Sequence, residues 1–363
     1  MSHSQYNIFH STCLILSCTV EEFRDIYESE APECTTETFC EDVLTNVIPL
    51  HHTALRAVHK QYRLDELLFA MLQFAPHTLG KRYVAVALHI ANGKGGDVVL
   101  DIAKAWMQNL FVQVLGMLKP GQNSGDATPI YAALSESSQC TDPLMQQLVN
   151  REQHRCAITR AFDRRLGVEY RRRGLDQNIP QGVLQLRMKA TPILPQPFSL
   201  YHDLAASDIE QPDARAVCWD MFSAWTQIDI TELSQSMNTP RNFIHMTDSE
   251  DELFRQFDIY LDGTVYPHSP NKYALRIPLD GLALSNGAVS GDVEFRTATE
   301  SGVDPPDPEY IKVHAAFARV LDVSGIKNYF DWLEDQSHDD LFRGDKLDFT
   351  TALTSKLSLI ARS

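Results

Sequence analysis

Two stretches in the first third of the chain place apolar residues at helical spacing. Leu64, Leu67, Leu68, Met71, Leu72 and Phe74 share one face of a helix, and Pro76 stops the run. Asp97 is placed to cap a second helix carrying Leu100, Ile102, Trp106, Leu110, Val114 and Leu118, which Lys119-Pro120-Gly121 ends. Between them, Gly93-Lys94-Gly95-Gly96 lacks the GxxxxGK[ST] order of a phosphate loop and reads as a turn. Residues 53–118 therefore read as helical and 1–50 as acidic and weakly patterned, so that 1–135 forms a mainly helical N-terminal region. Residues 120–145, rich in Gly, Ser, Pro and Thr, read as a linker.

A section of mixed pattern follows, to about residue 278. A helix-like segment with Leu144, Met145 and Leu148 precedes the β-prone run Arg155–Thr159. A second β-prone run, Val183–Met188, leads into Ala190-Thr191-Pro192-Ile193-Leu194-Pro195. An amphipathic helix with Val217, Cys218, Met221, Phe222 and Trp225 comes before Asn238-Thr239-Pro240-Arg241-Asn242-Phe243-Ile244-His245-Met246. Thr247 and Glu250 have the spacing of a capping box, opening a helix with Leu253, Phe254 and Phe257. Phe257–Leu261 alternates as a strand, Asp262-Gly263 signals a turn, and Tyr273–Ile277 can return as the partner. Residues 280–307 read as irregular. Asp307-Pro308 opens a helix with Ile311, His314, Phe317 and Leu321 on one face, followed by Ile326–Asp335. The expected organisation is an N-terminal region at 1–135, a module at 145–278, and a C-terminal helical segment at 305–340 packing on that module.

Composition narrows the class. With 44% hydrophobic and 22% charged residues the chain has the make-up of an ordinary soluble globular protein. No apolar run reaches the roughly 18 residues of a membrane span, so no membrane partner is expected. The opening MSHSQYNIFHSTCLILSC has no basic leader and no cleavage signal, and reads as a core element. Seven cysteines, at 13, 18, 34, 40, 140, 156 and 218, include no CxxC pair. That argues against a disulfide framework or a zinc knuckle and for a reducing, intracellular location, nuclear or cytoplasmic. His51, His52, His59, His77 and His89 lack ligand spacing and read as surface or packing residues.

Charge points to one segment. The net charge is −16, yet residues 151–189 hold ten Lys or Arg against four acids, a local +6 that leaves −22 elsewhere. This island, with Arg165, Arg171, Arg172 and Arg173 at its centre, is either a polyanion contact or a solvated loop.

The ordered landmarks of residues 50–335 resemble the HNH endonuclease family, specifically a large group of fungal proteins with a central HNH domain between helical regions. Arg155-Cys156-Ala157-Ile158-Thr159 is similar to that family's R-C-x-x-T run, and Asn238-x-Pro-x-Asn242 with Ile244-x-Met246 to its N-x-P-x-N-x-I-x-M segment. Leu253-Phe254, Phe257 and Asn271-Lys272-Tyr273 match later landmarks, and Asp65–Ala75 followed by Gly80-Lys81-Arg82-Tyr83-Val84 matches its N-terminal region. The resemblance implies an α+β fold: a small ββα-metal core extended by a β-hairpin and flanked by helices. It also implies metal-dependent phosphodiester hydrolysis, in which a histidine takes a proton from water and one divalent cation (Mg²⁺, Mn²⁺ or Zn²⁺) stabilises the leaving oxygen.

The chain departs from that pattern at two places. Alignment puts Pro192 at the general-base histidine, where a one-residue slip would put Thr191, and neither can act as base. It puts Asp251 at the helix histidine, where aspartate can serve as an oxygen ligand to a metal or simply favour a helix start. Asn242 holds the family position, as an orienting residue or a turn fastener. His202 and His245 are the candidate substitute bases. Loss of general-base catalysis costs about 10²–10⁴-fold. Three readings follow: a pseudonuclease that binds nucleic acid or protein, an active endonuclease with a rearranged site, and a protein-interaction scaffold.

Overall fold

The computed structural model describes residues 8–29, 31, 34–58, 62–112, 114–115, 143–194, 214–269, 271–278, 284–285, 287 and 291–331. These residues form a helix-rich α+β protein with three small sheets among them. They divide into two compact units. The described residues of Met1–Met117, Pro197–Ser234 and Arg319–Ser363 make the first, and those of Leu118–Gln196 and Gln235–Ala318 the second. Residues 214–234, which the sequence reading places inside the 145–278 module, thus belong to the first unit.

In the first unit the regular elements are helical. Leu64–Phe74 and Thr78–Lys94 are helices, and Gly96–Ala105 runs on through a π-helical stretch, Trp106–Phe111. Residues Tyr83 to Leu88 are all fully buried, so the middle of Thr78–Lys94 is apolar around its circumference, the mark of a central helix. Gly80 admits the backbone of the Ala214–Thr226 helix, because a β-carbon there would lie 1.8 Å from the Trp225 carbonyl oxygen. Gly95, at φ 123°, makes the turn between helices. Asp97 does not cap the second of them. The N-cap is Gly95 without a side-chain bond, and Asp97 lies in the first turn, where an acid suits the helix dipole.

The weakly patterned first 50 residues hold the helices His10–Leu16, Val20–Tyr27 and Thr36–Asp42, the last passing through the π-helical turn Val43–Val47 into Ile48–Arg56. Helices this short show too few turns for a periodic signal. Val20–Tyr27 and Thr36–Asp42 are instead started by Thr19, in a capping box with Glu22, and by Thr35.

The second unit holds the strands. β1 (Phe162–Asp163) pairs in parallel with β2 (Gln185–Leu186), β3 (Met188–Pro192) antiparallel with β4 (Phe243–Thr247), and β5 (Tyr260–Asp262), β6 (Lys272–Arg276) and β7 (Gly291–Glu294) form an antiparallel sheet in that order. The β5–β6 hairpin forms, but β5 begins only at Tyr260 and runs through Asp262, because Phe257 takes a left-handed φ of 60° in a turn; β7 falls in the segment expected to be irregular. The run Arg155–Thr159 is a turn and not a strand. The Cys156 N–H donates to Ala161 O at 2.9 Å, and Arg160 takes a left-handed φ of 59°. Its β-prone residues are apolar because they are buried, not because they are extended. The helix Pro308–Ser324 forms as expected, and its His314 ring stacks on Phe254 at 3.8 Å between centroids. The expected linker at 120–145 and Glu334–Asp335 lie outside or mostly outside the described residues.

Candidate functional site

The corner aligned with a nuclease centre is built from β3, β4 and the helix Asp248–Arg255. In the β3–β4 register Pro192 faces Phe243, Thr191 faces Ile244, Ala190 faces His245 and Lys189 faces Met246. Opposed residues share a face and successive ones alternate. Ala190 and Phe243 pack with Leu144 and Leu148, so their face meets the helix Pro143–Glu152. Lys189 lies on the other face, where its Nζ approaches Asp248 at 3.3 Å and Asp251 at 3.8 Å. The register therefore gives Pro192 to the Phe243 face and Thr191 to the face of Asp251. Thr191 is fully buried, and its hydroxyl has no hydrogen-bond partner among the described residues.

Asn242 is the last residue of the 3₁₀ turn Pro240–Asn242 and is fully buried. Its side-chain oxygen accepts from Leu194 N–H at 3.0 Å, and its amide donates to Leu194 O at 3.2 Å. The Ile193 N–H donates to its backbone carbonyl at 2.9 Å. Asn242 thus extends the β3–β4 ladder past Pro192 by imitating a backbone amide, and both ends of its side chain are engaged.

Asp251 is almost fully buried and grips Arg255 one turn along. Arg255 Nε donates to Oδ1 at 3.0 Å and Nη2 to Oδ2 at 2.5 Å. With Lys189 on the same carboxylate, a guanidinium and an ammonium surround the group that alignment offers as a metal ligand. The donor set does not fit a divalent cation: both carboxylate oxygens already accept from the Arg255 guanidinium, with the Lys189 ammonium near by. Among the described residues no group of three or more His, Cys, Asp or Glu is placed to hold a metal ion.

His245 shares the strand face of Phe243 and so lies away from Asp251. Its Nδ1 donates to Arg155 O at 3.1 Å, and its Nε2 is buried without a partner among the described residues. Burial pushes its pKa down to about 4, so the ring is neutral near pH 7. His202 lies outside the described residues. The second half of the capping box also differs from expectation. Thr247 accepts from Glu250 N–H at 3.4 Å, but the buried Glu250 carboxylate turns to Ser285, taking its N–H at 2.8 Å and its hydroxyl at 3.1 Å.

Arg151 belongs by sequence to the basic island, yet it is fully buried. It pairs with the equally buried Glu152 at 2.6 Å and donates to Pro240 O at 2.8 Å, Asp304 O at 3.0 Å and Phe243 O at 2.7 Å. It therefore fixes both ends of the turn that presents Asn242. The sequence carries the signal: Leu144, Leu148 and Arg151 stand at i, i+4 and i+7, one helical face. Cys156, whose spacing suits a core position, is buried, and burial pushes its thiol up.

Most of the exposed arginines of the island lie in the helix Arg164–Arg172 and the residue after it. Asp163 starts the helix by accepting from Arg165 N–H at 2.8 Å. Arg164, Arg165, Arg171, Arg172, Arg173 and Arg187 are exposed. Arg171 donates to Gln185 at 2.8 Å, Arg173 pairs with Glu169, and Arg164, Arg165 and Arg172 make no ion pair among the described residues. The first, second, eighth and ninth helical positions are arginine, which brings their side chains to one side of the helix. No helix among the described residues is long and apolar enough to cross a membrane.

No protein-family model, curated protein or solved structure matches the chain.

Proposed function

We propose that the chain is a diverged HNH-type protein whose ββα-metal core has lost nuclease chemistry and works as a binding module for nucleic acid. The order strand, long excursion, asparagine turn, strand and threonine-capped helix supports the family reading. The observation that carries the loss of activity is the pairing of Asp251 with Arg255 and Lys189, two cations where a nuclease needs a metal ion. The base position adds to it, since neither Pro192 nor Thr191 can accept a proton from water at neutral pH. The exposed arginines of 164–173 supply the phosphate contact, and an intracellular setting, nuclear or cytoplasmic, supplies the partner.

The test is incubation of purified protein with supercoiled plasmid and with single-stranded DNA in Mg²⁺, Mn²⁺ or Zn²⁺, beside Asp251→Ala and Asn242→Ala. The expected result is no cleavage above the variants, together with retention of DNA at low salt. Metal-dependent cleavage that both variants abolish would restore the enzyme reading.

A further inference from the structure

The helix His10–Leu16 ends in a Schellman cap. Ser17 takes the left-handed conformation (φ 50°, ψ 43°) and its N–H donates to Leu14 O at 3.2 Å, while the Cys18 N–H donates to Cys13 O at 3.1 Å. This cap brings together the side chains of the residues that its outer hydrogen bond joins, usually as an apolar contact. Here those residues are both cysteines, and each thiol feels the other electrostatically. Cys13 is buried and Cys18 partly exposed. Cys18 directly precedes Thr19, the N-cap of Val20–Tyr27, so the pair sits at the elbow between two helices.

We propose that Cys13 and Cys18 form a modification site, a thiol pair that closes to an intrachain disulfide by exchange with a low-molecular-weight disulfide. The Cys18 thiolate attacks one sulfur of the small disulfide, forming a mixed disulfide and releasing one small thiolate. Cys13 then gives its proton to solvent base and attacks Cys18 Sγ. The Cys13–Cys18 bond forms, the mixed disulfide breaks, and the second small thiolate leaves. Two protein thiols are oxidised and one small disulfide is reduced to two thiols.

The surroundings set the order of attack. Lys94, from the helix Thr78–Lys94, donates to Ser17 O at 2.7 Å and its charge favours the Cys18 thiolate, while Glu21 and Glu22 of the next helix oppose ionisation of the pair. Burial raises both thiols, that of Cys13 to about 12, so exchange quickens as pH rises from 7 to 9. Exposure makes Cys18 the first to react and leaves Cys13 to resolve.

The experiment treats the full chain with oxidised glutathione, quenches with acid and an alkylating agent, and maps peptides by mass spectrometry. Wild type is expected to lose two hydrogens, with Cys13 and Cys18 in one linked peptide. Cys13→Ser is expected to hold glutathione on Cys18, and Cys18→Ser to leave residue 13 reduced, both variants keeping the wild-type circular dichroism. Corrected for the larger thiolate fraction of the unfolded chain, closure in urea-denatured wild type is expected to be at least about tenfold slower, because the cap no longer holds the two residues together. A wild type that accumulates glutathione on Cys18 without closing overturns the proposal. So does closure that, corrected for thiolate fraction, is as fast in urea as in the folded chain.

Discussion

A buried guanidinium is stable only where its donors find acceptors, and Arg151 meets that condition through Glu152 and three backbone carbonyls. Removing one member of such a pair leaves an uncompensated charge. Arg151→Met is therefore expected to lower the unfolding free energy by about 3–5 kcal/mol in a urea titration. Arg151→Met combined with Glu152→Gln should recover part of that loss; a double variant as unstable as the single would show that the stranded Glu152 charge is not the cause. The buried histidines make a second prediction. Burial lowers His245 to about 4 and His314 to about 3, below the unfolded value near 6.5. Between those values the unfolded chain binds more protons, so the stability these rings contribute is complete above pH 6.5 and is lost as pH falls toward 4 and then 3. The loss is on the order of a few kcal/mol for each ring. His314→Phe should flatten the acid limb of a stability-against-pH curve, and an unchanged slope would sink the assignment.

Among elements, strands and helices were legible where burial is one-sided and repeated. The spacing in Leu64–Phe74 predicts the helix that forms, because the pattern persists over several turns against the core, whereas of Phe257–Leu261 only Tyr260 and Leu261 are in a strand. Arg155–Thr159 misled because a buried turn has the same apolar composition as a strand. Of the candidate site, Asn242 and the Thr247-capped helix could be read from sequence, since each rests on local chemistry. The pairing of Asp251 with Lys189 could not, because it depends on a β3–β4 register set across more than fifty residues. Arg255, four residues from Asp251, was within reach of the i, i+4 rule. If these cations replace a metal, Asp251→Ala removes the buried acceptor that Arg255 and Lys189 share and should cost about 2–3 kcal/mol. Millimolar Mg²⁺, Mn²⁺ or Zn²⁺ should leave the wild-type melting temperature unchanged. A metal-induced rise that Asp251→Ala removes would mean that the carboxylate does bind metal.

At the scale of the molecule, a net charge of −16 opposes any approach to a polyanion, and only a localised patch can overcome it. The exposed arginines of 164–173 concentrate positive charge on one helix side, with Glu169 as the one acid in the Arg164–Arg172 helix. Binding of this kind has an affinity that is sequence-independent and steeply dependent on salt, because each neutralised phosphate releases counterions. Fluorescence anisotropy with a labelled duplex should show binding at low salt that fades within the physiological range. Replacing Arg171, Arg172 and Arg173 together by glutamine should reduce the slope of log K against log salt by up to about 2–3, near 0.9 for each phosphate no longer neutralised. The weakening should be similar for unrelated sequences, since phosphates carry no base information. Lys81→Gln with Lys104→Gln removes charge from the first unit without touching this helix, and is the control for net charge alone. Should the control flatten the slope as much per charge, the attraction would be a property of the whole surface and the arginine helix would lose its assigned role. If only the arginine variant flattens it, the helix holds the phosphates.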